Sequence, residues 1–324
     1  MFDKIIMKAT VDTEDIDTIV LRNYLEQCTE GDEVYYKSTA YANFDGCFIE
    51  LRGNKLKCKC SICKLYSKGK NGKLDNSRPM TFAMAVRTIK ELLLRLCVRM
   101  ENAVVTYYEI GITMKMSHFA ECYIRQVQEI SDRILWNDAN FPEYRQKTTE
   151  KSKYFRKVLK IYDKSFEAGE KGRKVGDNIL RIETVYRHQS VSMLEFTDYF
   201  FLSKMGRIFY KDWSEICFTR ELSATKGVKI SQLEKAREIY RLGTTRYKEH
   251  YKQIFLDGKL TKKQWETIRN FAKAWPTERE KYVEEVGELE KEFKDRLLSN
   301  FQIGIFTPFV ADNSLVKHIS DQSL

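Results

Sequence analysis

A tyrosine flanked by lysines invites a chemical reading. In KVLKIYDKSFEAG (157 to 169), alternation along a strand puts Lys160, Tyr162 and Lys164 on one side and Leu159, Ile161 and Asp163 on the other. A phenol attacks poorly unless nearby cations stabilise its phenolate, and the same cations offset the charge that builds on a phosphate under attack. Two acids interrupt apolar strands elsewhere: Glu109 in VVTYYEIGIT and Glu183 at the end of ILRIE. Such carboxylates suit a hard divalent ion, Mg²⁺ or Mn²⁺, which takes oxygen ligands and polarises a phosphodiester. If 153 to 164 pairs with 178 to 187, the face with Tyr162 and the lysines lies beside Arg181 and Glu183. That surface either transfers a phosphoryl group through Tyr162, with Lys160 and Lys164 stabilising charge, or merely pairs ions across strands towards solvent.

Other chemistries find less support. Cys58, Cys60 and Cys63 form C-x-C-x2-C, but a structural zinc site needs four ligands and no Cys or His follows at finger-like spacing. Small buried residues on a strand account for them better. The four histidines, at 118, 188, 250 and 318, contain no H-x-H or H-x-x-H pair. No G-x-S-x-G, Walker A or G-x-G-x-x-G occurs, which weakens the hydrolase, NTPase and dinucleotide readings. The net charge of +10, from 56 Lys+Arg against 46 Asp+Glu in 324 residues, permits a polyanionic partner without requiring one. Acids in MFDKIIMKATVDTEDID exclude a signal peptide there, and no apolar run approaches a membrane span. The expected location is cytoplasmic, with the eight cysteines as reduced thiols.

The elements that must position these residues read as α+β: an antiparallel sheet core with flanking helices, followed by a helical C-terminal region. Strands are predicted at 2 to 9, in EVYYKSTAYA, CFIELRG and KLKCKCSICKLYS, and at 103 to 116, 153 to 164 and 178 to 187, with helices at 12 to 28, 80 to 97 and near 117 to 135. The residues 68 to 79 read as a loop, and Gly169, Gly172 and Gly176 as a mobile basic connection within a hairpin. Beyond about 192, Ser192/Glu195, Ser231/Glu234, Thr261/Gln264 and Thr277/Glu280 all have capping-box spacing. Tyr282, Val286, Leu289, Phe293 and Leu297 form the packing stripe expected of a last helix. The expected domains are 1–205, carrying the chemistry, and 206–311, helical, with a flexible tail at 312–324.

At these residues the chain resembles a known family. LKIYDKSFE, followed by NILRIETVYRHQSVSMLEFTD, is similar to the Y-x-K strand and (L/V)-R-(I/F)-E strand of the gene II/X-type phage and plasmid replication initiators. VTYYEIGITM resembles their acidic strand, and FIELRGNKLKCK with the helix at 80 to 97 resembles their Gly-containing β segment. The likeness covers roughly residues 45 to 205. It implies a rolling-circle initiator related to the HUH endonucleases, which nicks one strand through a tyrosine, stays on the 5′ phosphate and frees a 3′ hydroxyl.

Carried over, Tyr162 matches the nucleophile, Lys164 the following lysine, and Glu183 and Glu109 the acids. The implied partners are single-stranded and duplex origin DNA, host helicase and DNA polymerase, with no membrane. Two departures stand out: Leu56, followed by Lys57, occupies the position of a family histidine, and the loop after it is lengthened. Tyr107, Tyr108 and Tyr154 remain rival nucleophiles. The alternative is a non-catalytic nucleic-acid-binding protein. Candidate DNA contacts are Arg181, Lys57, Lys229, Arg237, Arg246 and Lys248, the last four from basic runs that could grip duplex phosphates.

Overall fold

The computed structural model describes residues 2–39, 46–71, 80–130, 133–148, 156–173, 175–219, 222, 229–282 and 287–306. Tyr154, Val286 and the tail 312–324 lie outside the described residues. The chain opens with β1 (Phe2–Thr10), α1 (Ile16–Arg22), β2 (Glu26–Glu30), β3 (Glu33–Lys37), β4 (Cys47–Arg52) and β5 (Lys55–Ser61). In β5, lysines alternate with buried Leu56, Cys58 and Cys60, so one face of the sheet is wet and the other must be covered. Covering begins with α2 (Ile62–Asn71) and α3 (Phe82–Arg95), the latter started by Thr81, whose side chain accepts from Met84 N at 3.2 Å.

The central strands follow: β6 (Ala103–Lys115), α4 (Ala120–Gln126), β7 (Val127–Ile130), β8 (Arg133–Asn137), β9 (Arg145–Thr148) and β10 (Lys157–Asp163). Next come α5 (Lys164–Gly169), β11 (Ile179–Tyr186), β12 (Val191–Ser192), α6 (Met193–Phe196), α7 (Tyr199–Ser214) and β13 (Ile216–Phe218). The sheet order is β13-β7-β8-β9-β10-β11-β6-β1-β5-β4-β3-β2, with β12 paired to β6. The fold is α+β, as the sequence pattern predicts, and the pairings that position the site, β1 with β5 and β6, and β11 with β6 and β10, are all antiparallel.

Helices α8 (Ile230–Leu242), α9 (Thr244–Leu256) and α10 (Lys262–Glu278) build a second unit, and α11 (Glu288–Phe306) completes the described chain. The main core joins Ile5, Met7, Ile110, Ile112, Ile161 and Ile182 of the sheet to Leu92 of α3, Phe209 and Trp213 of α7, and Phe293 and Leu297 of α11. Each such side chain contributes about 1.5–3 kcal/mol by leaving water. A separate core of Leu233, Ile239, Tyr240, Tyr247, Ala272 and Trp275 holds α8 to α10 together. Hydrophobic packing thus runs across the boundary expected at 205, since α7, β13 and α11 share the sheet's core and the second core spans Leu222 to Tyr282.

Several local expectations change. The helix expected over 12 to 28 stops at Arg22, where Asn23 Nδ2 donates to Ile19 O at 2.8 Å and Tyr24 takes a φ of 50°. Among the described residues of 117 to 135, only Ala120–Gln126 is helical, because Val127 and Ile130 enter the sheet opposite β13. ICKLYS is helical, not strand, and the connection after β10 carries α5. Thr261 and Gln264 do form a capping box, whereas Ser231 and Thr277 fall inside helices. Tyr282 packs in the second core and Phe293 in the first, so they do not belong to one stripe.

Candidate active site

Four strands bring the candidate residues to the wet face of the sheet. In β10 and β11, Lys160 lies opposite Glu183 and Tyr162 opposite Arg181. In β11 and β6, Glu183 lies opposite Gly111 and Arg181 opposite Thr113, while Glu109 is opposite Val185 on the same face. Gly111 permits the close approach: a Cβ there would sit 3.0 Å from Glu183 Cγ and 3.1 Å from Arg181 Nη2. On β1 the register slips between Phe2 and Ile5 against β6. This bulge keeps both Phe2 and Ile5 in the core and turns Asp3 and Lys4 to the wet side.

The result is a cleft of about 610 Å³ lined by Asp3, Lys4, Ser61, Glu109, Tyr162 and Glu183, among others. The Tyr162 hydroxyl donates to Glu183 Oε1 at 2.8 Å. Arg181, only 3% exposed, donates to that oxygen at 2.7 Å, to Asp3 Oδ2 at 2.6 Å and to Thr113 Oγ1 at 2.8 Å. Ser61 donates to the other Asp3 oxygen at 2.9 Å. Lys160 Nζ stands 3.5 Å from Glu109 Oε1 and 3.8 Å from Glu183 Oε2, and Tyr107 donates to Glu109 Oε1.

Burial, then the charge of Glu183, raises the Tyr162 phenol well above its ordinary range. Glu109 is raised for the same two reasons. Asp3, Glu109 and Glu183 each offer an oxygen within 4.8 Å of the others, and all three are buried. Oxygen donors from three carboxylates, gathered this closely, fit a hard divalent cation. Sequence alone does not single out Asp3: strict alternation along FDKIIMKA places it with Ile5 and Met7, and the bulge reverses that.

The remaining candidates divide. Lys164 leaves the strand, because Asp163 caps α5 by accepting from Phe166 N at 2.9 Å. Its ammonium still lies 6.0 Å from the Tyr162 ring and pairs with Glu167 at 2.5 Å, while burial lowers its pKa to about 8. Arg181 is enclosed by Asp3, Glu183 and Thr113 and presents no exposed guanidinium to DNA; burial of this cation is offset by the paired acids. Lys57 lines the cleft, whereas Leu56 points into the core, so a histidine at 56 would face away from the acids. Tyr108 also faces the core, stacked on Tyr186.

Lys229, Arg237, Arg246 and Lys248 belong to the helical unit and line no part of the cleft. Arg237 donates to Leu222 O, and Arg246 to Leu135 O with its guanidinium 5.4 Å from the Trp136 ring, so these two also fasten the unit. Cys58, Cys60 and Cys63 are buried, and the only cluster of metal-ligating side chains among the described residues is the acidic one.

No protein-family model matches the chain, and no curated protein matches it. Among solved structures, it is similar to a rolling circle replication initiator protein from Geobacillus stearothermophilus, at 10% identity and a TM-score of 0.39, over 70% of this chain and 89% of that one. A likeness this loose leaves the functional reading to rest on the site itself. No helix among the described residues is long and apolar enough to cross a membrane.

Proposed function

We propose that this protein is a metal-dependent DNA nicking and joining enzyme that initiates rolling-circle replication in the cytoplasm, with Tyr162 as the attacking residue. One observation carries this reading: the Tyr162 hydroxyl donates to Glu183 at 2.8 Å within a cluster of three buried carboxylates. Asp3, Glu109 and Glu183 would hold Mg²⁺ or Mn²⁺, and its charge would polarise the scissile phosphate and favour the phenolate. Glu183, which accepts from the Tyr162 hydroxyl, would take the phenolic proton as the Tyr162 oxygen bonds to phosphorus and the bond to the 3′ oxygen breaks. The 3′ oxygen leaves, gains a proton from water and is free for a polymerase to extend. Tyr162 keeps the 5′ phosphate, and attack by a 3′ hydroxyl reverses the step to rejoin DNA. Lys160, 28% exposed and beside Glu109 and Glu183, would be the cation next to the transferred phosphate. Exposed lysines of the helical unit, Lys229 at the start of α8 among them, would grip origin duplex, and a host helicase would unwind the duplex beyond the nick.

A second reading has one observation in its favour. Lys4, Lys160 and Arg181 balance the three acids charge for charge, as a structural network in a DNA-binding protein without catalysis would. Incubation of the full chain with labelled single-stranded oligonucleotides from DNA flanking its gene, with Mg²⁺ or Mn²⁺, separates the two. The enzyme gives a covalent band on a denaturing gel. Tyr162→Phe removes that band while DNA affinity changes by less than about tenfold, or 1.4 kcal/mol. Absence of any band with wild-type protein across the flanking sequence favours the binding protein.

A further inference from the structure

We infer that the wet face of β1 and β5, with Phe48 of β4 beside it, is a track for single-stranded DNA that leads away from the acidic cluster along β5. The nicking reading supplies the reason for a strand to arrive there, but the track stands on its own observations. Lys4 and Lys8 of β1 and Lys55, Lys57 and Lys59 of β5 share this face, and Lys8 lies directly opposite Lys57. Like charges directly opposed across a strand pair destabilise the sheet. Nothing relieves them: among the described residues, Lys8, Lys55, Lys57 and Lys59 form no ion pair. The acid that faces Lys57 from β4, Glu50, is held by Arg52 at 3.0 Å. These four exposed cations are uncompensated and complementary to a polyanion, and Lys4, shared with the acids, joins them to the site.

Geometry and ring chemistry favour a single strand. Lys4, Lys57 and Lys59 line the same cleft as Tyr162 and the acids, so the row is continuous with the site. Successive lysines of β5 are about 7 Å apart, two residues of strand rise, close to the repeat of phosphates along an extended single strand. Phe48, opposite Lys59 on β4, lines the cleft and is 37% exposed. Further out on the same face the row ends: Tyr35 is covered by the Arg52 guanidinium at 3.9 Å, and Arg52 is paired with Glu30, Glu33 and Glu50. An exposed ring set beside a row of cations binds unpaired bases by stacking, a contact that the stacked interior of a duplex denies.

The test is fluorescence anisotropy of fluorescein-labelled oligo-dT with the full chain in EDTA, titrated with salt, comparing wild type with the triple variant Lys8→Gln, Lys57→Gln, Lys59→Gln and with Phe48→Ala. Three lost phosphate contacts at about 0.7 each shrink the slope of log affinity against log salt by about 2, and affinity falls at least about tenfold. The triple variant should melt no lower than wild type, since its substitutions relieve repulsion. Phe48→Ala should weaken binding about fivefold or more with the slope unchanged. An unaltered slope and affinity in the triple variant overturns the track. So does an equal loss on a duplex of the same length, which marks a general phosphate patch. Binding in EDTA reads the track without the chemistry: a covalent adduct persisting in Tyr162→Phe would defeat the nicking assignment and leave this result standing.

Discussion

Around Tyr162 the charged groups are buried against one another, whereas on α8 to α10 they stand in water around an aromatic core. Arg181, Asp3, Glu109 and Glu183 are all buried and share partners within one network. In the helical unit, Lys229 and Arg241 are exposed, and burial is left to Tyr240, Tyr247 and Trp275. Fastening to the sheet is done by few groups: Glu129 accepts from Thr244 N at 3.1 Å, and Arg279 donates to Cys217 Sγ at 2.9 Å. The contrast predicts opposite responses to substitution. Removing a charge from the first region strands a buried partner; removing one from the second alters long-range attraction and little else.

The largest effect on stability should come from Arg181→Met. It leaves Asp3 and Glu183 buried without their cation and should cost about 3–5 kcal/mol in denaturant unfolding. Added Mn²⁺ should recover part of that loss, because the ion binds the folded state. A cost under about 1 kcal/mol would mean the network does not unite the site. Next, Glu109→Gln should raise the metal concentration that gives half-maximal nicking by tenfold or more, since it removes charge from one of three ligands. A metal titration that overlays wild type removes Glu109 from the metal site.

Lys164 sharpens the comparison through pH. Its folded value is lowered to about 8 from 10.5, so between these values the folded chain binds fewer protons than the unfolded one. Its contribution therefore grows as pH rises from about 8 towards 10.5 and is lost as pH falls through 8. Lys164→Met should flatten that window by roughly 1–3 kcal/mol in unfolding measurements. An unchanged pH profile would show that burial does not hold the ammonium as described. The smallest effect on stability belongs to the helices: Lys229→Gln with Lys248→Gln should shift stability by less than about 0.5 kcal/mol. The pair should still lower the salt slope for duplex by nearly 2, at about 0.9 per phosphate contact. An unaltered duplex slope would take these lysines out of the DNA interface.

Much of the site's grouping is legible in sequence because strands have a period of two. Lys160 and Tyr162 alternate with Leu159 and Ile161, and their pairing with Glu183 and Arg181 follows once two adjacent strands are read as a hairpin. Asp3 is not legible: one extra residue in β1 against β6 reverses its side, and no feature of FDKIIMKA marks the bulge. Lys164 misleads because Asp163 ends the strand pattern by capping a helix, a change of period that a local reading of IYDKS does not display. The two cores were hidden because α11 is separated in sequence from the sheet it packs on. A fragment cut at the expected boundary of 205 would therefore lose Phe209, Trp213, Phe293 and Leu297 from the main core.

The central claim is that Tyr162 attacks DNA, and peptide mapping of the covalent product tests it most directly. The full chain is reacted with a single-stranded substrate and Mn²⁺, digested with nuclease and protease, and the nucleotide-bearing peptide is sequenced by mass spectrometry. The account predicts a phosphonucleotide on Tyr162. A nucleotide on Tyr107, whose hydroxyl touches Glu109 across the same cluster, would contradict it.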